Sequence, residues 1–341
     1  VDNDMKSMEK EIKERRLIFL CEMGLDPGID HMSAMQLIHR IQASGGKITH
    51  FYSHCGGLIA PESDDNPWHY KISWNPRNIV TAGSSGAVFK ENNRIIERTY
   101  PDLFNNAPTI QCKAVPPLEW YPNRDSLSYI PVYGLEDAST FIRTTLRFRH
   151  FCSGWHTLAS LALTDTSDTA LVKTCSTYHK WITKKIASAD AGSKQLSEYL
   201  AKHVPENIRE ITTKQMEYLA LDRNEALPNE MNCSADILQH ILEGKLALGP
   251  EDKDMIVMIH EIHYKTHEGE DRDLKASLVV KGDDSMHTAM AKTVGLPLAI
   301  AADLILSGKI QTPGLQIPIA PEIYEPVLTA LEAQGICFEE E

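Results

Sequence analysis

The segment from Glu22 to His31 (EMGLDPGIDH) constrains the fold of this chain more than any other ten residues. It follows a continuous apolar run, Leu17 to Cys21, the pattern of a strand covered on both faces in a parallel sheet. From Ile29 onward Met32, Met35, Ile38 and Ile41 recur at helical spacing until Gly45-Gly46 stops them, so a helix begins where the segment ends. A strand passing through a Gly/Pro/Asp turn into a helix is where open α/β sheets place ligands. Two carboxylates stand beside this turn. Asp30 sits where an acceptor can cap the free amides of a helix's first turn. Asp26 falls earlier, inside the turn, where capping accounts for it less well, and is the stronger functional candidate.

At 341 residues the chain exceeds one ordinary core, which implies two structural units. The two ends read as parts of one of them. Met5, Met8 and Ile12 mark an amphipathic helix over 5–16, and Ser285 to Leu306 reads as a long Ala-rich helix interrupted by Gly295 and Pro297 and stopped at Gly308. A helix, a buried strand and a distant second helix are pieces of a doubly wound nucleotide-binding fold. Its front half is missing: no G-x-G-x-x-G occurs, and Gly83-Ser84-Ser85-Gly86 has neither the spacing nor the flanking strand and helix. The chain also opens on Val1 within an αβ unit rather than on Met, which reads as a truncated polypeptide. The expected architecture is α/β: a partial Rossmann-like nucleotide-binding domain from 1–29 and 286–341, and a larger α+β substrate-binding and dimerisation domain over 30–285, with a mixed, largely antiparallel sheet.

Within the larger unit, 47–54, Arg94 to Arg98 and Phe141 to Arg149 read as strands. Residues 155–248 read as helices, with Leu171, Cys175 and Ile182 on one core stripe and Ile237, Ile241, Leu242 and Leu246 on another. Met255 to Tyr264 and Leu274 to Gly282 form a hairpin around His267-Glu268-Gly269-Glu270. Its apolar Met255–Ile259 run, if left on an exposed edge, needs cover from a second subunit and points to a two-fold homodimer. The net charge of −13 argues against a nucleic-acid partner. No apolar run approaches the ~20 residues of a membrane span, and no signal segment opens the chain. Seven scattered cysteines without a C-x-x-C pair fit a reduced, cytoplasmic protein. No metal site is expected, because His260 and His263 face opposite sides of a strand and no Cys or carboxylate pair completes a set with His267.

Several short motifs then occur in a fixed order: Glu22 to His31; Cys55-Gly56-Gly57-Leu58 with Pro61-Glu62; Asn66-Pro67; Tyr70-Lys71-Ile72-Ser73-Trp74; Tyr121-Pro122-Asn123-Arg124-Asp125-Ser126; Thr145-Leu146-Arg147; Asp252 to Val257; and Ala289 to Pro297. Together they resemble the saccharopine dehydrogenases of the L-glutamate-forming type, shared by fungal single enzymes and the bifunctional lysine-degradation enzymes of animals and plants. The resemblance covers about 15–150 and 249–341; the stretch 155–245 matches only in being helical.

The resemblance implies NADP(H) as cofactor, with NAD the alternative, and saccharopine as substrate. Leu25-Asp26-Pro27 resembles a turn that contacts the cofactor, and Asn75 aligns with a contacting position that is more often Ser. Arg124, Thr145, Leu146 and Arg147 resemble saccharopine-binding residues. This chain has Arg143-Thr144-Thr145 where the family more often has Arg-Gly-Thr, and His54 where a Tyr usually precedes Cys-Gly-Gly. The physics agrees with a polycarboxylate ligand, since planar guanidinium groups bind carboxylates through two parallel charge-assisted hydrogen bonds. Arg143 and Arg149 share the strand parity of Arg147 and rank second. Oxidation of a C–N bond followed by hydrolysis also needs a general acid/base, for which the candidates are Asp26 and Cys55. His150, His156, Cys152 and Cys175 read as structural. Two other readings stay open: a related enzyme joining a different amine and aldehyde, such as a carboxynorspermidine synthase, and a substrate-binding and dimerisation module without catalysis.

Overall fold

The computed structural model describes residues 1, 3–113 and 115–341. Two short helices, α1 (Asn3–Ser7) and α2 (Glu9–Glu14), precede β1 (Ile18–Leu20). The helix expected over 5–16 is broken at Met8, because of its apolar positions only Ile12 finds a core to enter. After the turn at 22–28 come α3 (Ile29–Ala43), β2 (Lys47–Ile59), α4 (Pro76–Val80), a hairpin of β3 (Ala87–Glu91) and β4 (Arg94–Arg98), then β5 (Thr109–Cys112), β6 (Val115–Pro122), the two-residue β7 (Arg124–Asp125), α5 (Ile130–Tyr133) and β8 (Thr140–Phe148). A helical block follows: α6 (Phe151–Ser160), α7 (Thr169–Val172), α8 (Tyr178–Ala189), α9 (Leu196–His203), α10 (Glu206–Leu219) and α11 (Ser234–Lys245). The chain then returns to the sheet through β9 (Asp254–Lys265) and β10 (Asp271–Lys281), and ends with α12 (Ala289–Leu306), β11 (Gly314–Gln316), α13 (Pro321–Glu332) and β12 (Glu339–Glu340).

One large mixed sheet runs β12-β10-β9-β2-β8-β3-β4, with β6 pairing β8, β5 pairing β6 and β7 pairing β3. The β2–β8 and β3–β7 pairs are parallel and the others antiparallel, so the sheet is mixed and largely antiparallel. Among the described residues the second sheet has two parallel strands, β1 and β11, which join the ends of the chain from Ile18↔Gly314 to Leu20↔Gln316. No closed barrel forms.

Strand parity then sorts the side chains. Phe51, Ser53 and Cys55 register with Phe141, Arg143 and Thr145, and this face packs under α3, α12 and α13 through Phe51, Phe141, Ile256, Met258 and Leu278. The opposite face carries Leu58, Leu118, Leu146, Val257 and Ile259. The helical block buries Trp68, Trp155 and Trp181 in its own core; truncating any one of them to Ala would cost about 3–5 kcal/mol.

Three expectations change here. The apolar Met255–Ile259 run is not on an edge: β9 lies between β10 and β2, and all five residues are 0–1% exposed. The outer strand is β10, which pairs with β12 only at Ala276 and Ser277. β2 runs on through Cys55-Gly56-Gly57, because a Cβ on Gly56 would meet Leu146 at 2.7 Å and only glycine allows β2 and β8 this close. Pro297 does not interrupt α12. That helix is anchored at its start, where Asp254 accepts from the amides of Ala289 (2.5 Å) and Met290 (2.9 Å) and Thr288 caps Ala291 (3.0 Å). By length and composition alone α12 could cross a membrane. It packs against β9 and α13 and leaves Val294, Leu298 and Leu306 exposed.

Candidate functional site

Where β1 ends, the chain turns back on itself in a way its glycines require. Gly28 has φ +149°, and a Cβ there would fall 2.1 Å from the Gly24 carbonyl. The amide of Gly24 donates to the Pro27 carbonyl (3.1 Å) and that of Ile29 to Gly24 (2.9 Å), closing a tight loop before α3. This loop forms one wall of a cavity of about 590 Å³, a size that suits a small-molecule ligand. The other walls are the carboxyl-terminal halves of β2 and β8, the 121–129 segment, Trp74, Asn78, Ala82 and Gly83, and Met290 and Val294 of α12.

The 121–129 segment is pinned rather than loose. Asn123 donates to the Arg143 carbonyl and Ser126 to Val88 (2.8 Å each), while the Ser126 hydroxyl accepts from the Arg143 amide (3.0 Å). The Asp125 carboxylate turns the chain by accepting from the amides of Leu127 and Ser128. Arg124, at φ +50°, is left projecting at the cavity.

Under the cavity lies a file of charged groups. One nitrogen of Arg143, Nη2, donates to both Asp26 Oδ1 (2.5 Å) and Asp30 Oδ2 (2.7 Å). The other oxygen of Asp30 accepts from the Gly28 amide (2.6 Å). Next along α3, His31 is 0% exposed, with Nε2 on Glu22 (2.8 Å) and Nδ1 on the Tyr133 hydroxyl (2.7 Å). Tyr129 covers both cations: the Arg143 guanidinium lies 4.0 Å from its ring centre, and His31 stacks on it at 5.6 Å. Burial pushes the Asp26 carboxyl up and Asp30's charge adds to that, against Arg143, leaving it at about 6. Burial also works against ionised Asp30, but the charges of His31 and Arg143 and the Gly28 amide outweigh it and hold Asp30 low. The reverse holds for His31, which Asp30 and Glu22 keep above its ordinary value despite burial. The His31 hydrogen bond pulls Glu22 down to about 2. Asp30, for which helix capping was one reading, is therefore committed to Arg143.

Two residues further along the same face of β8 beyond Thr145, Arg147 is 3% exposed and has no carboxylate partner among the described residues. Its Nη1 donates to the Leu146 carbonyl (2.8 Å), its Nη2 reaches the Tyr121 hydroxyl at 3.5 Å, and Nε has no partner. Tyr70, Phe151 and Tyr121 surround the guanidinium at 5.1–5.8 Å. A buried cation without an anion is costly, and this one lines the cavity.

The cavity thus gathers Leu25, Asp26, Pro27, Cys55, Arg124, Thr145 and Arg147 from the sequence-derived candidates. Two others lie elsewhere. Leu146 alternates to the opposite face of the sheet and is fully buried there. Asn75 is exposed outside the cavity lining, and its side-chain oxygen caps α4 by accepting from Arg77 (2.9 Å) and Asn78 (3.4 Å). Burial holds the Cys55 thiol well above its ordinary pKa, so it stands in the wall as a neutral group. Arg149, ranked beside Arg143, is exposed past the end of β8.

Departures and motifs acquire physical reasons. His54 and Thr144 are register partners on β2 and β8, and their side chains share a 2.6 Å hydrogen bond on the face away from the cavity. The two departures are thus one local change. Lys71, 7% exposed, pairs with Asp252 (2.7 Å) and Asp65 (2.8 Å), so it ties the segment that follows β2 to the turn that precedes β9. Sequence reasoning missed Glu22, His31, Tyr129 and Tyr133 as parts of the site. Only His31 carries a local signal, a polar residue at the opening of an otherwise apolar helix; Tyr133 lies 102 residues from it. No cluster of three metal-ligating side chains occurs among the described residues.

Residues 24–336 match the family described as the saccharopine dehydrogenase C-terminal domain. The match runs through the helical block, which sequence motifs alone had not covered. The mitochondrial alpha-aminoadipic semialdehyde synthase of Rattus norvegicus is 34% identical over 98% of this chain and 36% of its own length. The NADP(+), L-glutamate-forming saccharopine dehydrogenase of Schizosaccharomyces pombe is 31% identical over 100% of the chain and 77% of its own length. The solved apo structure of histidine-tagged saccharopine dehydrogenase (L-Glu forming) from Saccharomyces cerevisiae superposes with a TM-score of 0.88 at 28% identity, covering 100% of this chain and 77% of that one. The chain therefore spans about a third of the length of the semialdehyde synthase and about three quarters of that of the fungal dehydrogenases.

Proposed function

Because this chain belongs to the saccharopine dehydrogenase C-terminal domain family, we propose that it builds the substrate site of an NADP-linked, L-glutamate-forming saccharopine dehydrogenase of lysine metabolism. The reaction oxidises saccharopine to glutamate and α-aminoadipate semialdehyde. The observation that carries this reading is Arg147, a buried guanidinium without a carboxylate, facing the same cavity as the free Arg124. Two unspent cations suit a substrate with three carboxylates and do not suit a polyamine.

NADP, when bound, supplies the hydride acceptor. The residues fit such a group: the Leu25-Asp26-Pro27 turn stands at the carboxyl end of parallel β1, and the exposed Val294 of α12 gives the facing wall an apolar surface. The rest of the work falls to side chains of this chain. Arg124 and Arg147 hold substrate carboxylates. Asp26, partly exposed at 21% and titrating near 6, is ionised at neutral pH and basic enough to take the proton of a secondary ammonium. Once protonated it can return that proton to the departing amine. Cys55 stays a neutral thiol and serves as a hydrogen-bonding wall rather than as a base.

The apolar strip of α12 and the outer edge of β1, which no strand among the described residues pairs, make a natural seat for the remainder of a dinucleotide-binding domain. A homodimer belongs to the same reading, through the outer edge of β10, which β12 covers at two residues only. Light scattering tests it, and a monomer mass at micromolar concentration removes it. The substrate is tested by calorimetric titration of the chain with saccharopine and, separately, with spermidine. Saturable one-site binding of saccharopine alone is expected; binding of spermidine alone transfers the chain to its polyamine-condensing relatives. Saccharopine binding without saccharopine-dependent NADP reduction makes this chain by itself a substrate-binding module.

A further inference from the structure

The file beneath the cavity divides its cations unequally, in a way the clamp does not use. Glu22, Asp30 and Asp26 are three carboxylates, and His31 and Arg143 are two cations, in the spatial order Glu22–His31, then Asp30–Arg143–Asp26. The terminal ammonium of Val1 sits on the other oxygen of Glu22 (2.5 Å), so Glu22 is held from both sides, by Val1 and by His31. Asp30, 1% exposed, has a guanidinium on one oxygen and the Gly28 amide on the other. Asp26 shares Arg143's single Nη2 with Asp30 and is the only one of the three that lines the cavity.

We infer that Asp30 and His31 are positioning residues that set the proton affinity of Asp26 from opposite directions. Asp30 raises it by drawing Arg143 to itself and by placing a like charge beside Asp26. His31 lowers it by neutralising Asp30. The other titratable groups around Asp26 stay out of the balance at neutral pH: burial keeps Cys55 of β2 a thiol, and Tyr129 and Tyr133 of the 127–133 segment phenols. Arg147 lies further along β8. The file thereby makes Asp26 its one readily protonated carboxylate, at the cavity surface where a secondary ammonium would deliver the proton.

This deepens the proposed reading of Asp26 as the base, so its test must not depend on turnover. The midpoint of Asp26 is read by carboxyl ¹³C titration of the whole chain, assigned with Asp26→Asn, in wild type, Asp30→Asn and His31→Gln. Removing Asp30 gives Asp26 an unshared Arg143, so its midpoint should fall by about one pH unit or more, the scale of a close charge change. Removing His31 leaves Asp30 uncompensated, so the midpoint should rise. Loosened packing alone would move both variants the same way, and that result, or an unmoved midpoint, overturns the inference. If Asp30→Asn loses its native amide spectrum, His31→Gln decides alone: a rise sustains the inference, and a fall or no change ends it. Saccharopine binding and oxidation, measured on the same samples, fail or succeed independently of these midpoints.

Discussion

Arg143 and Arg147 stand on one face of one strand, four residues apart, 7% and 3% exposed, and their surroundings are opposites. Arg143 touches two carboxylates through one nitrogen and is roofed by Tyr129. Arg147 has a carbonyl, a distant phenol and three aromatic rings. Both line the cavity, yet only one is electrically spent. Burial of a guanidinium says little about its role until its anions are counted. A compensated cation holds structure; an uncompensated one is an empty seat for a ligand's carboxylate.

The sharpest way to break this contrast is to replace each arginine by Met and measure urea unfolding. Arg143→Met strands two carboxylates and should cost about 3–5 kcal/mol, the usual consequence of breaking a buried ion pair. Arg147→Met removes a cation with no carboxylate partner among the described residues and should cost less than about 1 kcal/mol, or stabilise. Equal losses in the two variants would erase the distinction.

A smaller effect tests the carboxylate that must share its cation. Asp26 titrates near 6 in the fold against an ordinary 3.8, so its favourable contribution is fully present below about pH 4 and is lost as pH rises through 6. Asp26→Asn should leave stability at pH 4 unchanged and raise it at pH 8 by on the order of 1–3 kcal/mol. Thermal unfolding at the two pH values reads this, and a loss at pH 8 would contradict it. Smallest is the pair on the opposite face of the same strands. His54→Tyr and Thr144→Gly, singly and together, should show a coupling of roughly 0.5–1.5 kcal/mol, as side chains in contact do. Additive effects would make them two unrelated changes.

Much of the site was legible locally. The Gly/Pro/Asp turn, the α3 stripe and the β9–β10 hairpin follow from punctuation and periodicity, and the family motifs led to Arg124 and Arg147. Strand parity alone could have moved Leu146 to the other face, since it alternates with Thr145 and Arg147. What was not legible depends on distant partners. Arg143's state requires Asp26 and Asp30 from 117 and 113 residues away, and His31 needs Tyr133. The interior position of β9 follows from its pairing with β2, which no local pattern announces. Asn75 shows the converse, because its capping of α4 is a local role, set by the two residues that follow Pro76.

Arg147 waits for an anion, and thermal unfolding with and without saturating saccharopine tests that most directly. Wild type should gain several degrees with ligand, as any native-state binder confers. Arg147→Met should start within a few degrees of the wild-type melting temperature or above it, and gain almost nothing. A ligand-induced rise in Arg147→Met equal to that of wild type would show that this cation is not the seat of a substrate carboxylate.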